Sequence, residues 1–471
     1  MPVGPLSTVV GAVAHGLRSR VDVVHAAIAQ ASATNPSLNF LAEACFDKAI
    51  AAASLASREN TPGPLAGAPT LVKDLEDLTG HRTRQGSRLF ADAPLATSDS
   101  LGVRRLRAAG AVVIGKSTLP EFAIEGYTAN DLTGVTRNPW NPKLSPGGSS
   151  GGSAVALSVG AALVATATDG GGSVRIPSAL CGLVGLKPTN GLLGRYPEPD
   201  WIDLSTDGPM ATSVDDLALL LSVLEGPIGG DPTAPPLGVG SLSAWRESTT
   251  VLFAAERTSP WGPLDNDVAR AFADAVGVVS DLLGLPALWR EPSDFDFAGD
   301  PDLDWYVTCA TEHVHRLGAE FVTEHWDELH VATREFFTQG LATTTAQYLA
   351  ARRRRFSATR VLDELLGDRG LLLTPVVTSS GWAADGTDET GEVHGLHPRH
   401  LATVIQNITG LPAISVPMGR LDSGLPFGLQ ITAPRYQERR LLELAARIEE
   451  VEPWPLSAPG YQTLAETLDL V

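Results

Sequence analysis

From Gly67 onward, short and nearly continuous apolar runs alternate with stretches whose apolar residues recur every three or four positions. The runs Pro69 to Leu75, Ala111 to Ile114, Leu163 to Thr168, Leu371 to Val377, Ala413 to Met418 and Phe427 to Thr432 predict strands. Helices are predicted over Leu101 to Ala109, Gly152 to Val159, Val214 to Leu224, Asn266 to Leu283 and Arg439 to Glu450. That alternation predicts a layered α/β fold. Residues 1–60 carry helical spacing instead, with Val9, Val10, Val13 and Leu17 continued by Val23 to Ala33 and Ala44 to Ala56, and predict a helical N-terminal arm.

Glycine is concentrated between Pro146 and Gly191, where GGSSGG, DGGGS, CGLVG and LKPTNG follow one another. Backbone permissiveness on that scale exceeds what a surface loop needs. A second loop-rich stretch, Gly226 to Gly240, reads as a domain linker or, better, as a surface connection, because strand-like runs continue on both sides. The chain is therefore expected to be one domain over residues 1–471: the arm, a core at 66–225, and a part at 241–471 completing the sheet and the substrate pocket.

The charge balance of 35 basic against 54 acidic residues, −19 in all, disfavours nucleic acid and anionic membranes as partners. Three cysteines without a CxxC pair indicate neither a disulfide framework nor a zinc finger, and a reducing cytoplasm is the simplest setting. The N-terminus lacks a basic region before its apolar residues, so no secretory signal is expected. The most apolar stretch, Ala154 to Thr168, is too short and too rich in small residues to span a bilayer.

Two segments satisfy familiar patterns only formally. GAVVIGKS, Gly110 to Ser117, fits the phosphate-binding loop, but its four central residues, Ala-Val-Val-Ile, read as the strand itself. GSSGG, Gly148 to Gly152, fits the nucleophile elbow with Ser150 at its centre, and Asp385 or Asp388 followed by His394, His397 or His400 gives an allowed order. An elbow requires a preceding strand, however, and NPWNPKLSP stands there instead.

Three pieces can act together. Lys73 ends a strand-like run, where desolvation would lower its pKa towards that of a useful base, although taken alone the segment reads first as a surface lysine at a strand end. Gly147 to Ser153, GGSSGGS, is the second piece. The third, Thr168 to Pro177, runs from a strand through three glycines to Ser173 and a helix start. It can aim successive N–H groups at a developing oxyanion, or can simply be a tight turn.

Taken together, these residues resemble the amidase signature family. The Gly/Ser run at Gly147 to Ser153, the Asp-x-Gly-Gly-Ser-x-Arg loop at Asp169 to Arg175 and the Gly-Leu-Lys-Pro-Thr run at Gly185 to Thr189 follow its order without a break. Flanking segments agree: Gly67 to Asp74, Ala109 to Phe122, Thr136 to Pro142, Thr206 to Ala211 and Asn407 to Pro417. The resemblance implies a three-layer α/β/α fold around a central mixed β-sheet. It also implies a serine hydrolase that cleaves a small-molecule carboxamide through an acyl-enzyme, with no cofactor and no metal, and compatible with a homodimer.

By the same resemblance Ser173 is the nucleophile, Ser149 the proton relay and Lys73 the base. Ser173 follows Ser149 by 24 positions, the family's spacing, and a cis peptide bond is expected at Gly148–Ser149. The backbone N–H groups of Gly170, Gly171, Gly172 and Ser173 are expected to hold the oxyanion, with Ser150, Asp169 and Arg175 in support. Gly170 departs from the family pattern, which often carries Thr or another side chain there. Candidate pocket residues are Phe122 to Asn130, in particular Phe122 and Tyr127, together with Trp140, Tyr196 to Trp201 and Trp305 to Phe337. A second function shares these motifs, that of the glutamine-hydrolysing A subunit of a tRNA-dependent amidotransferase, but the acidic charge gives no help in holding tRNA.

Overall fold

The computed structural model describes residues 4–56, 63–235, 249–258, 262, 264–388, 390–395 and 401–471. Seven strands form a mixed sheet in the spatial order Met210–Ala211, Val184–Lys187, Ala413–Arg420, Pro426–Thr432, Gly370–Pro375, Val251–Ala254 and Ala287–Trp289. The first four pairings are antiparallel and the last two parallel. Strands from 66–225 and from 241–471 thus share one sheet.

Leu371, Leu372 and Leu373 are all fully buried. Leu371 and Leu373 join one core cluster and Leu372 the other, so the two-residue strand period distributes a continuous apolar run to two helical layers. Leu252 and Ala254 against Phe253 repeat the division on the neighbouring strand. On one side lies the helix Asn266–Leu283, whose Val268, Phe272, Ala275, Val276 and Val279 share a face and which ends at Gly284 with φ 65°. The other side is packed by the helices Pro301–Leu317, Val331–Ala342 and Thr345–Leu366.

A second, four-stranded sheet runs in the order Leu41–Ala44, Val112–Ser117, Pro69–Lys73 and Val164–Ala165. Its first strand interrupts the arm expected to be wholly helical: Pro5–Ala14, Arg20–Leu38 and Phe46–Ala56 are helices, but Leu41–Ala44 pairs antiparallel with Val112–Ser117. Nothing in Leu-Ala-Glu-Ala favours a strand locally; long-range pairing overrides its helical propensity. Asn39, left-handed at φ 53°, ends the preceding helix and anchors it through Nδ2 to the carbonyls of Thr133 and Val135. The expected strand Leu163 to Thr168 is divided into Val164–Ala165 and Thr168–Asp169, which pair with different partners.

The two formal matches resolve structurally. Gly115 to Ser117 lie within the strand Val112–Ser117, and Lys116 Nζ is 2.8 Å from Asp74 Oδ1, both side chains fully buried. No phosphate cradle exists there. Asp385 and Asp388 accept from Thr387 and Thr390 in local turns, and His394 binds Glu335 at the surface. His397 and His400 lie outside the described residues. Among the described helices none is long and apolar enough to cross a membrane.

Removing one partner of a buried ion pair leaves the other charge uncompensated. Lys116→Ala is therefore expected to lower unfolding stability by about 3 kcal/mol, measured by urea denaturation, rather than to abolish nucleotide binding. Unchanged stability would contradict the assignment.

Candidate active site

Lys73 is the last residue of a fully buried strand, and its side chain has no exposed surface. Its amine lies 2.7 Å from Ser149 Oγ, 2.8 Å from Thr168 Oγ1 and 3.0 Å from Ser150 Oγ. Among the described residues it makes no ion pair. Burial lowers its pKa to about 7, although Glu76 and Asp169 act in the opposite direction. Ser149 follows a cis peptide bond from Gly148, as the family resemblance led us to expect, and Ser150 immediately precedes the helix Gly151–Ser158. Thr166 Oγ1 accepts from the Lys73 backbone N–H at 2.8 Å, which fixes the start of the lysine side chain.

The loop after Asp169 is held by a buried network. Arg175, fully buried, donates from Nε and Nη2 to both Asp169 oxygens at 2.9 and 2.8 Å, from Nη1 to Gln406 and Gln430, and from Nη2 to Asn407. Burial would raise the Asp169 pKa, but the paired Arg175 outweighs it and holds the carboxyl at about 2. With its guanidinium donors turned to these partners, Arg175 shapes the loop and is not a substrate ligand.

Asp169 also accepts from the Gly172 N–H at 2.8 Å and from the Val174 N–H at 3.2 Å. This corrects the expected oxyanion set: the Gly172 N–H is engaged by Asp169. Among the described residues the N–H groups of Gly170, Gly171 and Ser173 have no hydrogen-bond partner. The loop's carbonyls are held outward. Trp305 Nε1 donates to Gly170 O at 2.7 Å, Thr403 Oγ1 to Gly171 O at 2.6 Å, and Asn407 Nδ2 to Asp169 O at 2.9 Å.

Gly170 has a steric explanation: a Cβ there would lie 2.3 Å from Trp201 Cε3. The indole fills the space a larger residue would occupy, so the departure from the family pattern is compensated locally.

Ser149, Thr168, Gly170 and Ser173 open on one cleft of about 520 Å³. Phe122 lines it, and so do Tyr196 to Trp201, as expected. Tyr127 and Trp140 do not. Tyr127 is buried in a separate small cluster with Ala129 and Ala332. Trp140 donates to Cys181 O at 2.9 Å and lies under the Arg420 guanidinium. Their aromaticity serves packing. In the segment Trp305 to Phe337, Trp305, Phe336 and Phe337 form core behind the loop instead of cleft wall.

Sequence reasoning missed Thr166 and Thr168, although their two-residue spacing along an extended segment places both on the lysine's side. It also missed Thr403, Gln406 and Gln430, which lie more than a hundred residues from the loop and have no local signature, and it read Trp305 as pocket wall where it holds the Gly170 carbonyl.

The profile of the Amidase family matches residues 22–442. The chain belongs to the amidase signature family. It is 34% identical over 427 residues, 88% of its length and 89% of the relative's, to AmiB2 of Mycobacterium tuberculosis, a protein named as an amidase. A solved 6-aminohexanoate cyclic dimer hydrolase in complex with its substrate is 30% identical, with a TM-score of 0.83 and 97% and 98% of the two chains covered. The A component of the glutamyl-tRNA(Gln) amidotransferase of Thermotoga maritima is 28% identical, with a TM-score of 0.76 and 93% and 94% covered. The enzyme is thus an amidase, a hydrolase of carbon–nitrogen bonds on an α/β fold with a mixed sheet.

Trp305→Phe keeps most of the ring packing and releases the Gly170 carbonyl. We expect kcat to fall about tenfold, corresponding to one lost positioning hydrogen bond, with KM little changed. Steady-state kinetics checks this, and an unaltered kcat would show that the indole only fills space.

Proposed function

We propose that this amidase cleaves its carboxamide by a Ser173 nucleophile, a Ser149 relay and a Lys73 base. The reading is carried by one observation: a wholly buried lysine without a carboxylate partner among the described residues, in contact with the hydroxyl of Ser149.

The proton inventory supports it. A neutral amine has two N–H donors and one lone pair, and Lys73 has three hydroxyl neighbours. Ser150 Oγ lies 3.4 Å from Thr168 O, to which it donates, so it accepts from Lys73. Of the other two hydroxyls, we assign Thr168 as the acceptor of the second N–H and Ser149, which opens on the cleft beside Ser173, as the one that gives its proton to the lone pair. As Ser149 transfers that proton to Lys73 it takes one from Ser173, whose oxygen forms a bond to the carbonyl carbon. The carbonyl electrons move onto oxygen, facing the N–H groups of Gly170, Gly171 and Ser173. On collapse the C–N bond breaks and the relay returns the proton to the departing nitrogen, giving ammonia or an amine. Water, deprotonated along the same route, then cleaves the acyl ester to carboxylate and restores Ser173. The chemistry needs no other group. Three buried, unpaired cysteines support a cytoplasmic setting.

The acyl-enzyme is tested by supplying hydroxylamine with an amide substrate. Wild-type protein should form the hydroxamate, and Ser173→Ala should reduce it at least about 1,000-fold. Hydroxamate formation at the wild-type rate by Ser173→Ala would overturn the assignment.

The pH dependence has a definite sign. Lys73 must be neutral to act, and its pKa is lowered to about 7. kcat/KM should therefore fall about tenfold per pH unit below that value and level off above it. In Lys73→Ala this acid limb should disappear along with most of the activity. A profile flat from pH 5 to pH 8, values chosen to bracket about 7, would contradict a lysine base.

A further inference from the structure

The cleft in front of Ser173 is unequal in charge. Glu76, Asp77, Glu198, Asp200 and Asp207 line it, against Arg195 and Arg316. Both arginines are already matched. Arg195 Nε lies 3.3 Å from Asp207 Oδ1 and its Nη1 donates to Ser205 Oγ at 2.8 Å. Arg316 pairs with Asp200 and reaches Gln85. Three carboxyl groups, those of Glu76, Asp77 and Glu198, are left without a cationic partner among the described residues.

Glu76 is the most constrained of the three. It is 7% exposed, lines the cleft, and its Oε2 is buried without a hydrogen-bond partner. A Cβ built on Gly102 would be 3.5 Å from Glu76 Oε1 and 3.3 Å from Asp207 Oδ2, so the two carboxylates flank a single point. Thr166, whose hydroxyl accepts the Lys73 N–H, also favours the charged form of Glu76 and so lies between this wall and the lysine. Burial and the neighbouring Asp207 raise the Glu76 pKa to about 7, an effect that Arg195 offsets only in part, so a further cation would stabilise the carboxylate. The remaining lining supplies apolar surface suited to a methylene chain: Leu75, Leu95, Tyr196, Pro197 and Pro199.

We infer that the cleft is a cation subsite and that the amidase's substrates are amides bearing a protonated amine away from the scissile bond, received by Glu76 with Asp77 and Glu198 at the approach. The inference rests on Ser173 as the nucleophile of this cleft. Anionic substrates are repelled by the same wall.

The test uses the full-length enzyme and matched alkyl fluorophosphonates ending in ammonium, methyl or carboxylate, in graded chain lengths, with Ser173 labelling followed by mass spectrometry. At low ionic strength the ammonium probe should inactivate at least about tenfold faster than the methyl probe, and the carboxylate probe at least about tenfold slower. Both gaps should narrow in about 0.5 M salt. Glu76→Gln should reduce the ammonium-to-methyl ratio at least about fivefold. Should that variant fail to fold, Glu198→Gln should reduce the ratio by about twofold or more. Equal rates for the three probes, or fastest labelling by the carboxylate probe with loss in Arg316→Gln, would overturn the inference. Failure of every probe to label Ser173 would instead refute the nucleophile assignment.

Discussion

The site depends on burying one ammonium-forming side chain without a counter-ion. A charged amine in a desolvated pocket is penalised heavily, and a protein usually compensates it with a carboxylate. Among the described residues around the active site the chain does so for Arg175 with Asp169 and for Lys116 with Asp74. At Lys73 it does not. The hydroxyls of Ser149, Ser150 and Thr168 surround the nitrogen instead, and neutral hydroxyls do not repay the cost of desolvating an ammonium as a carboxylate would.

Burial alone does not make a base, as Lys187 shows. It too is fully buried, and its pKa is likewise lowered to about 7, chiefly by desolvation. Yet its amine donates to the carbonyl oxygens of Pro188 and Asn190. Carbonyls accept protons in hydrogen bonds but have none to give. Lys73 faces groups that can surrender one, and that difference separates a structural lysine from the proposed base. The paired charges play the complementary part, since Asp169 and Arg175 fix the backbone so that the Gly172 N–H turns inward and those of Gly170, Gly171 and Ser173 stay free.

The layered architecture was legible because both-faces-buried strands such as Leu371 to Leu373 leave continuous apolar runs, and helices such as Asn266–Leu283 leave a clear face. Lys73, Ser149 and Ser173 were legible because the runs around them, Gly67 to Asp74, Gly147 to Ser153 and Asp169 to Arg175, resemble those of the amidase signature family. The strand Leu41–Ala44 was not, since only pairing with distant residues makes it one. Nor were Tyr127 and Trp140 separable from a pocket wall: an aromatic side chain has the same local signature in a core as in a cleft. The same holds for the Trp201 ring that explains Gly170, a complementarity that exists only after folding.

The chain has only five lysines, at positions 48, 73, 116, 143 and 187, which makes the central claim directly measurable. Carbon-13 NMR titration of the lysine ε-carbons, with Lys73 assigned by its loss in Lys73→Met, reports the protonation of this amine itself. A midpoint near 7 is predicted for Lys73. A midpoint at the unperturbed value of about 10.4 would contradict the account.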